Sequence, residues 1–279
     1  MACALGAAAL TVAACSVGGA EAPHPARSAR PATSPSHPPP HTAPPTLAPG
    51  PAGLTRVFAS AERQERRTVA LTFDADMTAD QGARAASGEH FDNPRLIAAL
   101  RALRVPATVF MTGRWAEQYP AQAKDIGGDP LFEVANHSYS HHAFTGDCYG
   151  LPSVPAGRMR ADVERAFAAF RAAGVRHVVP YFRFPGGCYD RAALRALAPA
   201  GVTAVQWDVV SGDAFATDAR AVERQVLDGV RPGSVVVMHC TRSAAPTTER
   251  VVRAVVPALR AKGYRFVRVS ELLGADRKA

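Results

Sequence analysis

After about residue 60 the chain alternates between two hydrophobic periods. Short apolar runs, rich in β-branched and aromatic residues, occur at Val69–Phe73, Ala107–Met111, Phe132–Ala135, Tyr181–Phe184, Val202–Trp207, Val235–Met238 and Arg265–Val269. Runs of this length and make-up read as buried strands. Between them lie stretches with helical spacing: Pro94–Leu103, Arg158–Ala173, Arg191–Leu197, Ala219–Leu227 and Thr248–Lys262. Pro94 suits a first helical turn with Asp92 or Asn93 as its cap. Gly174 and Gly263 stand where a helix-terminating glycine would. Strand–helix alternation predicts a parallel α/β architecture. Seven strands with about one helix each predict a barrel-like sheet.

The first sixty residues follow neither period. Residues 1–14 are almost wholly small and apolar, too short for a membrane span and suited to the core of an export signal. Val12-Ala13-Ala14-Cys15 resembles a bacterial lipobox, which would make Cys15 a lipidated N-terminus. Plain secretion after a small-residue cleavage site is the other reading. Residues 16–60 are dominated by Pro, Ala, Ser, Thr and His, including His24, His37 and His41. Such a tract lacks the apolar residues to bury a core and is expected to be a disordered tether. The expected organisation is a signal and lipobox at 1–15, a linker at 16–60 and a catalytic domain at 61–279.

Composition adds two constraints. The formal net charge of +8 favours an anionic neighbourhood. No basic helix interleaved with aromatics is present, so nucleic acid is not an expected partner. The expected protein is an extracytoplasmic monomer that meets the membrane only through a lipid on Cys15. None of the five cysteines stands at C-x-x-C spacing, which argues against a structural zinc knuckle.

Candidate chemistry collects where the apolar runs end. Thr68–Thr78 reads T-V-A-L-T-F-D-A-D-M-T, so Asp74 and Asp76 arrive as the first strand leaves the core. His137-Ser138-Tyr139-Ser140-His141 follows the third strand, and an i, i+4 pair on one helical face can ligate one metal ion. Asp74 or Asp76 would complete a set of two histidines and a carboxylate. Arg183-Phe184-Pro185-Gly186-Gly187 brings a fixed charge that can orient a carboxylate, beside glycines that allow close approach to a ligand. Trp207 to Asp213 and Ser234 to His239 end two more strands, and His239 reads as a general acid tuned by a nearby carboxylate. In parallel α/β folds chemistry sits at the C-terminal ends of strands, where all of these groups fall.

Taken in order, T-F-D-A-D, H-S-Y-S-H, R-F-P-G-G, W-D-V-V-S-G-D and V-V-M-H resemble the five motifs of the polysaccharide deacetylase family, over roughly Thr68 to Leu273. The resemblance implies a distorted (β/α) barrel of about seven strands and de-N-acetylation of amino-sugar polymers such as peptidoglycan or chitooligosaccharides. It implies that Asp74 is the catalytic base, Arg183 its orienting partner, His239 the general acid and Asp213 the carboxylate that tunes it. His137 and His141 would hold a divalent metal with Asp76. Zinc suits that set, and cobalt or nickel would be accepted. The Gly186 N–H would hold the oxyanion, and Val237 and Trp207 would line the acetyl and sugar pocket. The chain departs from the family at Ala75, where a second aspartate is common, at Gly186, where an aromatic is usual, and at Ala214, where tryptophan is common. Whether Asp74 or Asp76 ligates the metal stays open. Among Cys148, Cys188 and Cys240 the expected pair is Cys148–Cys188. Two other functional readings remain: a wall-binding protein that has lost catalysis, and a D-x-D glycosyltransferase built on Asp74-Ala75-Asp76.

Overall fold

The computed structural model describes residues 43–61 and 66–276. The expected export signal, Cys15 and most of the expected linker lie outside them. In chain order the elements are β1 (Val57–Phe58), β2 (Thr68–Ala75), α1 (Gln81–Ala86), α2 (Pro94–Ala102), β3 (Ala107–Met111), α3 (Gly113–Gln118), α4 (Pro120–Gly128) and β4 (Phe132–Asn136). There follow α5 (Met159–Ala172), β5 (Val178–Phe182), α6 (Arg191–Leu197), β6 (Thr203–Val205), β7 (Val209–Val210) and α7 (Ala219–Gly229). The chain ends with β8 (Ser234–His239), α8 (Thr248–Ala261), β9 (Arg265–Phe266) and α9 (Val269–Asp276). Among the described residues the strands number nine, in the order β1-β6-β5-β4-β3-β2-β8-β7, with β9 also on β2.

Every strand pair in that order is parallel. The topology forces the sheet to curl. β6 lies beside β5 near one end of the order, and β7 lies beside β8 at the other, yet only Gln206 to Asp208 separate them. Val205 and Val209 can be at most about 14 Å apart across that link, so the two ends of the sheet must come together. The result is a distorted (β/α) barrel whose seam is one continuous segment, Thr203–Val210.

β2 is central and buried at every position, which explains its unbroken apolar run. Its side chains alternate. Val69, Leu71, Phe73 and Ala75 pack against the helical layer, with Val252, Val255 and Val256 of α8 in the same cluster. Ala70 belongs instead to an interior cluster with Phe110, Ala135, Tyr181, Val205 and Val235, drawn from six different strands. Asp74 has the parity of Ala70. His137 has that of Ala135, Arg183 that of Tyr181, and His239 that of Val235. A period of two along each strand therefore sends all four toward the barrel interior at its C-terminal mouth.

The opposite end is closed by α9, where sequence patterning placed only strand Arg265–Val269. The Val269 N–H donates to Thr108 Oγ1 at 3.0 Å, and the Ser270 N–H donates to Glu133 Oε1 at 3.1 Å. Thr108 also donates to Glu133 at 2.8 Å. The cap thus comes from β3 and β4, remote in sequence, and burial pushes the Glu133 carboxyl above its ordinary range. The boundary expected at residue 60 moves as well. The compact unit begins at Ala43. Leu47 donates its N–H to Thr203 Oγ1 at 2.9 Å, and Tyr181 donates to the Pro45 carbonyl at 2.8 Å. A Pro-rich composition does not prevent an extended segment from docking on partners such as these.

A disulfide joins Cys148, in the loop after β4, to Cys188, in the loop after β5. Cys240 is the free thiol among the described residues, buried and pushed up to about 12 by that burial. The Cys148→Ser, Cys188→Ser variant loses closure of a loop with sequence separation 40 and is expected to be less stable by roughly 3–4 kcal/mol. Thermal unfolding with and without reductant checks this. The wild type should fall to the variant's midpoint when reduced.

Candidate active site

Asp74 leaves the end of β2 directly opposite His239 of β8, the two being register partners on adjacent parallel strands. The Asp74 side chain is buried, and Arg183 donates to its Oδ1 from Nη1 at 2.7 Å. Sequence reasoning placed Arg183 at a strand terminus, and left its burial open. It is in fact wholly buried. Its guanidinium lies 3.8 Å from the centre of the Phe110 ring, and its Nε and Nη2 donate to the carbonyls of Val205 and Gln206 at 3.2 and 3.4 Å. Burial alone would raise the Asp74 carboxyl. The charge and hydrogen bond of Arg183, with the charge of His239, outweigh it and hold the group below its ordinary value. Asp74 is therefore an ionised carboxylate with one oxygen tied down and the other facing the mouth.

The facing group is held in the opposite state. His239 Nδ1–H donates to Asp213 Oδ1 at 2.8 Å, and the His239 backbone N–H donates to Oδ2 at 2.8 Å. Ser211 and Thr248 hydroxyls donate to the same carboxylate at 2.9 and 2.6 Å. Burial lowers the imidazole, but the Asp213 bond and charge prevail and bring it to about 9. His239 is thus imidazolium at neutral pH. Asp213 is held low by the same contact against the cost of its own burial.

His137 and His141 do not share a helical face, contrary to the reading from their spacing. The residues between them form a loop in which Ser138 and His141 have φ of 70° and 56°. The loop is pinned from three sides. Asn136 Oδ1 accepts the Ser138 N–H at 2.8 Å, and Ser138 Oγ accepts the His141 N–H at 2.8 Å. Asp162 of α5 accepts the Tyr139 N–H and the Ser140 hydroxyl at 2.7 and 2.9 Å. The rings still meet, with centroids 5.0 Å apart. Positive φ at non-glycine residues, maintained by such a network, is a mark of functional loops.

The Ala75 departure has a structural answer. Ala75 points outward into the helical layer, and the chain then brings Asp76 back toward the mouth. Asp76 Oδ2 stands 3.8 Å from His141 Nε2, and Asp74 Oδ2 stands 3.7 Å from His137 Nε2. The other Asp76 oxygen accepts a hydrogen bond from Thr241, a residue that sequence reasoning missed. Its signal was the continued period of two from Val237 through His239 to Thr241.

These donors suit a divalent cation. His137 Nδ1 bonds to the Arg183 carbonyl at 3.0 Å, which places the proton on Nδ1 and leaves Nε2 as a lone pair. Burial lowers both imidazoles, His141 to about 4, so they are neutral ligands at physiological pH. Asp76 is held below its ordinary value against burial, with the His239 charge and the Thr241 hydrogen bond both favouring the carboxylate. Among the described residues the donors approach in pairs, and no three already converge as they would around an ion. Two donors of one tetrahedral zinc lie roughly 3.4 Å apart, from ligand distances near 2.1 Å. The Asp76–His141 pair, at 3.8 Å, stands a few tenths of an ångström wider than that.

Val237 is buried in β8. Trp207 packs on Gly187, where a Cβ would come within 2.6 Å of the indole. Gly186 has φ of 64°, and among the described residues no hydrogen bond takes up its N–H. A Cβ there would come within 2.6 Å of Cys148 Sγ.

Comparison with known proteins points to one family. A polysaccharide deacetylase family model matches residues 61–205. A chitooligosaccharide deacetylase of Bradyrhizobium sp. (strain ANU 289) is 27% identical over 209 residues, covering 71% of this chain and 87% of that one. A peptidoglycan-N-acetylglucosamine deacetylase of Bacillus cereus is 26% identical over 187 residues, covering 66% and 64%. In fold, the chain is similar to a CE4 family pseudoenzyme from Bacillus anthracis, with a TM-score of 0.61 at 22% identity, over 81% and 70% of the two chains.

Proposed function

Since this chain belongs to the polysaccharide deacetylase family, we propose that its site hydrolyses the acetamide of N-acetylated amino sugars in a polymer, giving acetate and a free amine. One observation carries the reading. Asp74 and His239 face each other across the β2–β8 pair, the first held ionised and the second held protonated. That is the pairing an amide hydrolysis needs: a base for the attacking water and an acid for the departing nitrogen.

Asp74 accepts the proton of the water, and Arg183 fixes the direction of its free oxygen. The Gly186 N–H is a donor for the oxygen of the acetamide as it gains charge. His239 gives its proton to the amine, and Asp213 holds that imidazole in the one orientation that can do so. Asp76, His137 and His141 are the residues that would hold a divalent cation, zinc first and cobalt or nickel as substitutes. When bound, such an ion supplies Lewis acidity, making a carbonyl more electrophilic and a water more acidic. The relatives act on chitooligosaccharides and on peptidoglycan by their names. The net charge of +8 supports the anionic wall polymer for this chain. The Cys148–Cys188 disulfide supports a location outside the cytoplasm.

Acetate release by the full chain tests the proposal, after chelation and after zinc or cobalt is returned. N-acetylated chitooligosaccharides and de-O-acetylated peptidoglycan are offered side by side. Metal-restored release is the expected result. Saccharide binding with no release, metal being bound, would transfer the reading to a binding protein, which the Ala75 and Ala214 departures and the pseudoenzyme of like fold make the alternative.

A further inference from the structure

Among the described residues four large hydrophobic side chains stand out in solvent: Tyr149, Tyr189, Val210 and Phe215. Two of them, Tyr149 at 87% and Phe215 at 83% exposure, are also in the left-handed region, with φ of 51° and 60°. Each sits in a tight turn. The Leu151 N–H donates to the Cys148 carbonyl at 2.9 Å, with Tyr149 and Gly150, both at positive φ, in between. The Ala216 N–H donates to the Asp213 carbonyl at 3.1 Å across Ala214 and Phe215. Glycine, asparagine or aspartate suits such positions, and a bulky aromatic there is strained. Exposed rings gain nothing from burial, so stability does not account for either residue.

Their placement does. Tyr149 follows the disulfide cysteine Cys148, and its ring lies 3.4 Å from where a Cβ on Gly186 would stand. It borders the space beside Gly186, whose centre is taken by Cys148 Sγ at 2.6 Å from that Cβ position. Phe215 stands two residues after Asp213, and its N–H is fixed to the Ala244 carbonyl at 2.6 Å. In the strand order, Tyr149 belongs to the β4–β5 side of the mouth and Phe215 to the β7–β8 side, with Asp74 and His239 between. Pyranose rings carry an apolar C–H face that stacks on aromatic surfaces.

We propose that Tyr149 and Phe215 are the stacking platforms for the sugar units on either side of the one being deacetylated, so that the site acts on the interior of a chain and discriminates against single sugars. This deepens the deacetylase reading and rests on it for the reaction, but not for binding.

The test compares N-acetylchitotetraose with N-acetylglucosamine, for the full chain with metal supplied. The readout is the ratio of their kcat/KM values, because a general loss of folding would lower both together. Tyr149→Ala and Phe215→Ala should each lower the ratio about tenfold, mainly through KM, a size in keeping with one aromatic contact. Tyr149→Phe and Phe215→Tyr should restore it. Tyr149→Gly and Phe215→Gly should lose the ratio while raising the thermal midpoint, since glycine relieves the positive φ. A residue kept for structure would do the reverse. An unchanged ratio in the alanine variants overturns the platforms and leaves the deacetylase standing. Calorimetry with the tetramer separates the remaining cases. If the wild type binds it without releasing acetate and the variants bind it more weakly, the reaction is refuted and the platforms hold. If the wild type neither binds nor cleaves the tetramer, the platforms are refuted.

Discussion

Asp74→Asn is expected to lower turnover by about a thousandfold or more, within the range for loss of a positioned base, while metal and saccharide still bind. The asparagine keeps an oxygen to accept from Arg183, so the buried guanidinium retains a partner and the barrel retains its shape. What is lost is the free carboxylate oxygen facing the mouth. Asp76, His137 and His141 are untouched, so metal stoichiometry should match the wild type. Acetate release, measured beside bound metal, decides the matter. Turnover near the wild-type rate would mean that Asp74 is not the base and that the proton goes elsewhere.

Arg183→Ala should have the largest effect on stability. The side chain is wholly buried and touches Phe110, Asp74 and the carbonyls of Val205 and Gln206. Truncation leaves a void, two carbonyls short of a donor and an ionised carboxylate without its counter-charge. Breaking a buried pair in this way costs roughly 3–5 kcal/mol. Urea unfolding should show a correspondingly lower midpoint, with acetate release abolished even where the variant is still folded. Arg183→Met fills the void without the charge. It should recover part of the stability and none of the activity. If Arg183→Ala unfolded at the wild-type midpoint, the guanidinium would not be holding the mouth together.

Much of the site was legible because a parallel strand announces its own end. The run from Val69 to Phe73 stops abruptly at Asp74, and the same break marks His137, Arg183 and His239. The fold class followed from the alternation of periods. The strands β1 and β7 were not legible, since each is two residues long and shows no period. Nor was α9, whose cap is supplied by Thr108 and Glu133 from another part of the chain. The helix α3 was available but missed: Thr112 accepts the Trp115 N–H at 3.1 Å as an N-cap, and Pro120 opens α4. Spacing alone misled at His137 and His141, where i, i+4 suggested a helix and the structure has a loop. It also could not tell a buried Arg183 from a surface one. The residues that cover it come from β3 and from the end of β6 with the residue that follows, which no local pattern connects. The exposure of Tyr149 and Phe215 likewise depends on turns whose left-handed backbone is not written in residue spacing.

One of the two-residue strands, β1, has a practical consequence. Val57 and Phe58 pair in parallel with Ala204 and Val205, and so cover the outer edge of β6. A chain cut at residue 61, where the family match begins, would keep every chemical group of the site and yet leave that edge bare. Bare parallel edges recruit further strands. Such a truncated protein should be prone to self-association in proportion to its concentration, whereas one that begins at Ala43 carries its own cover.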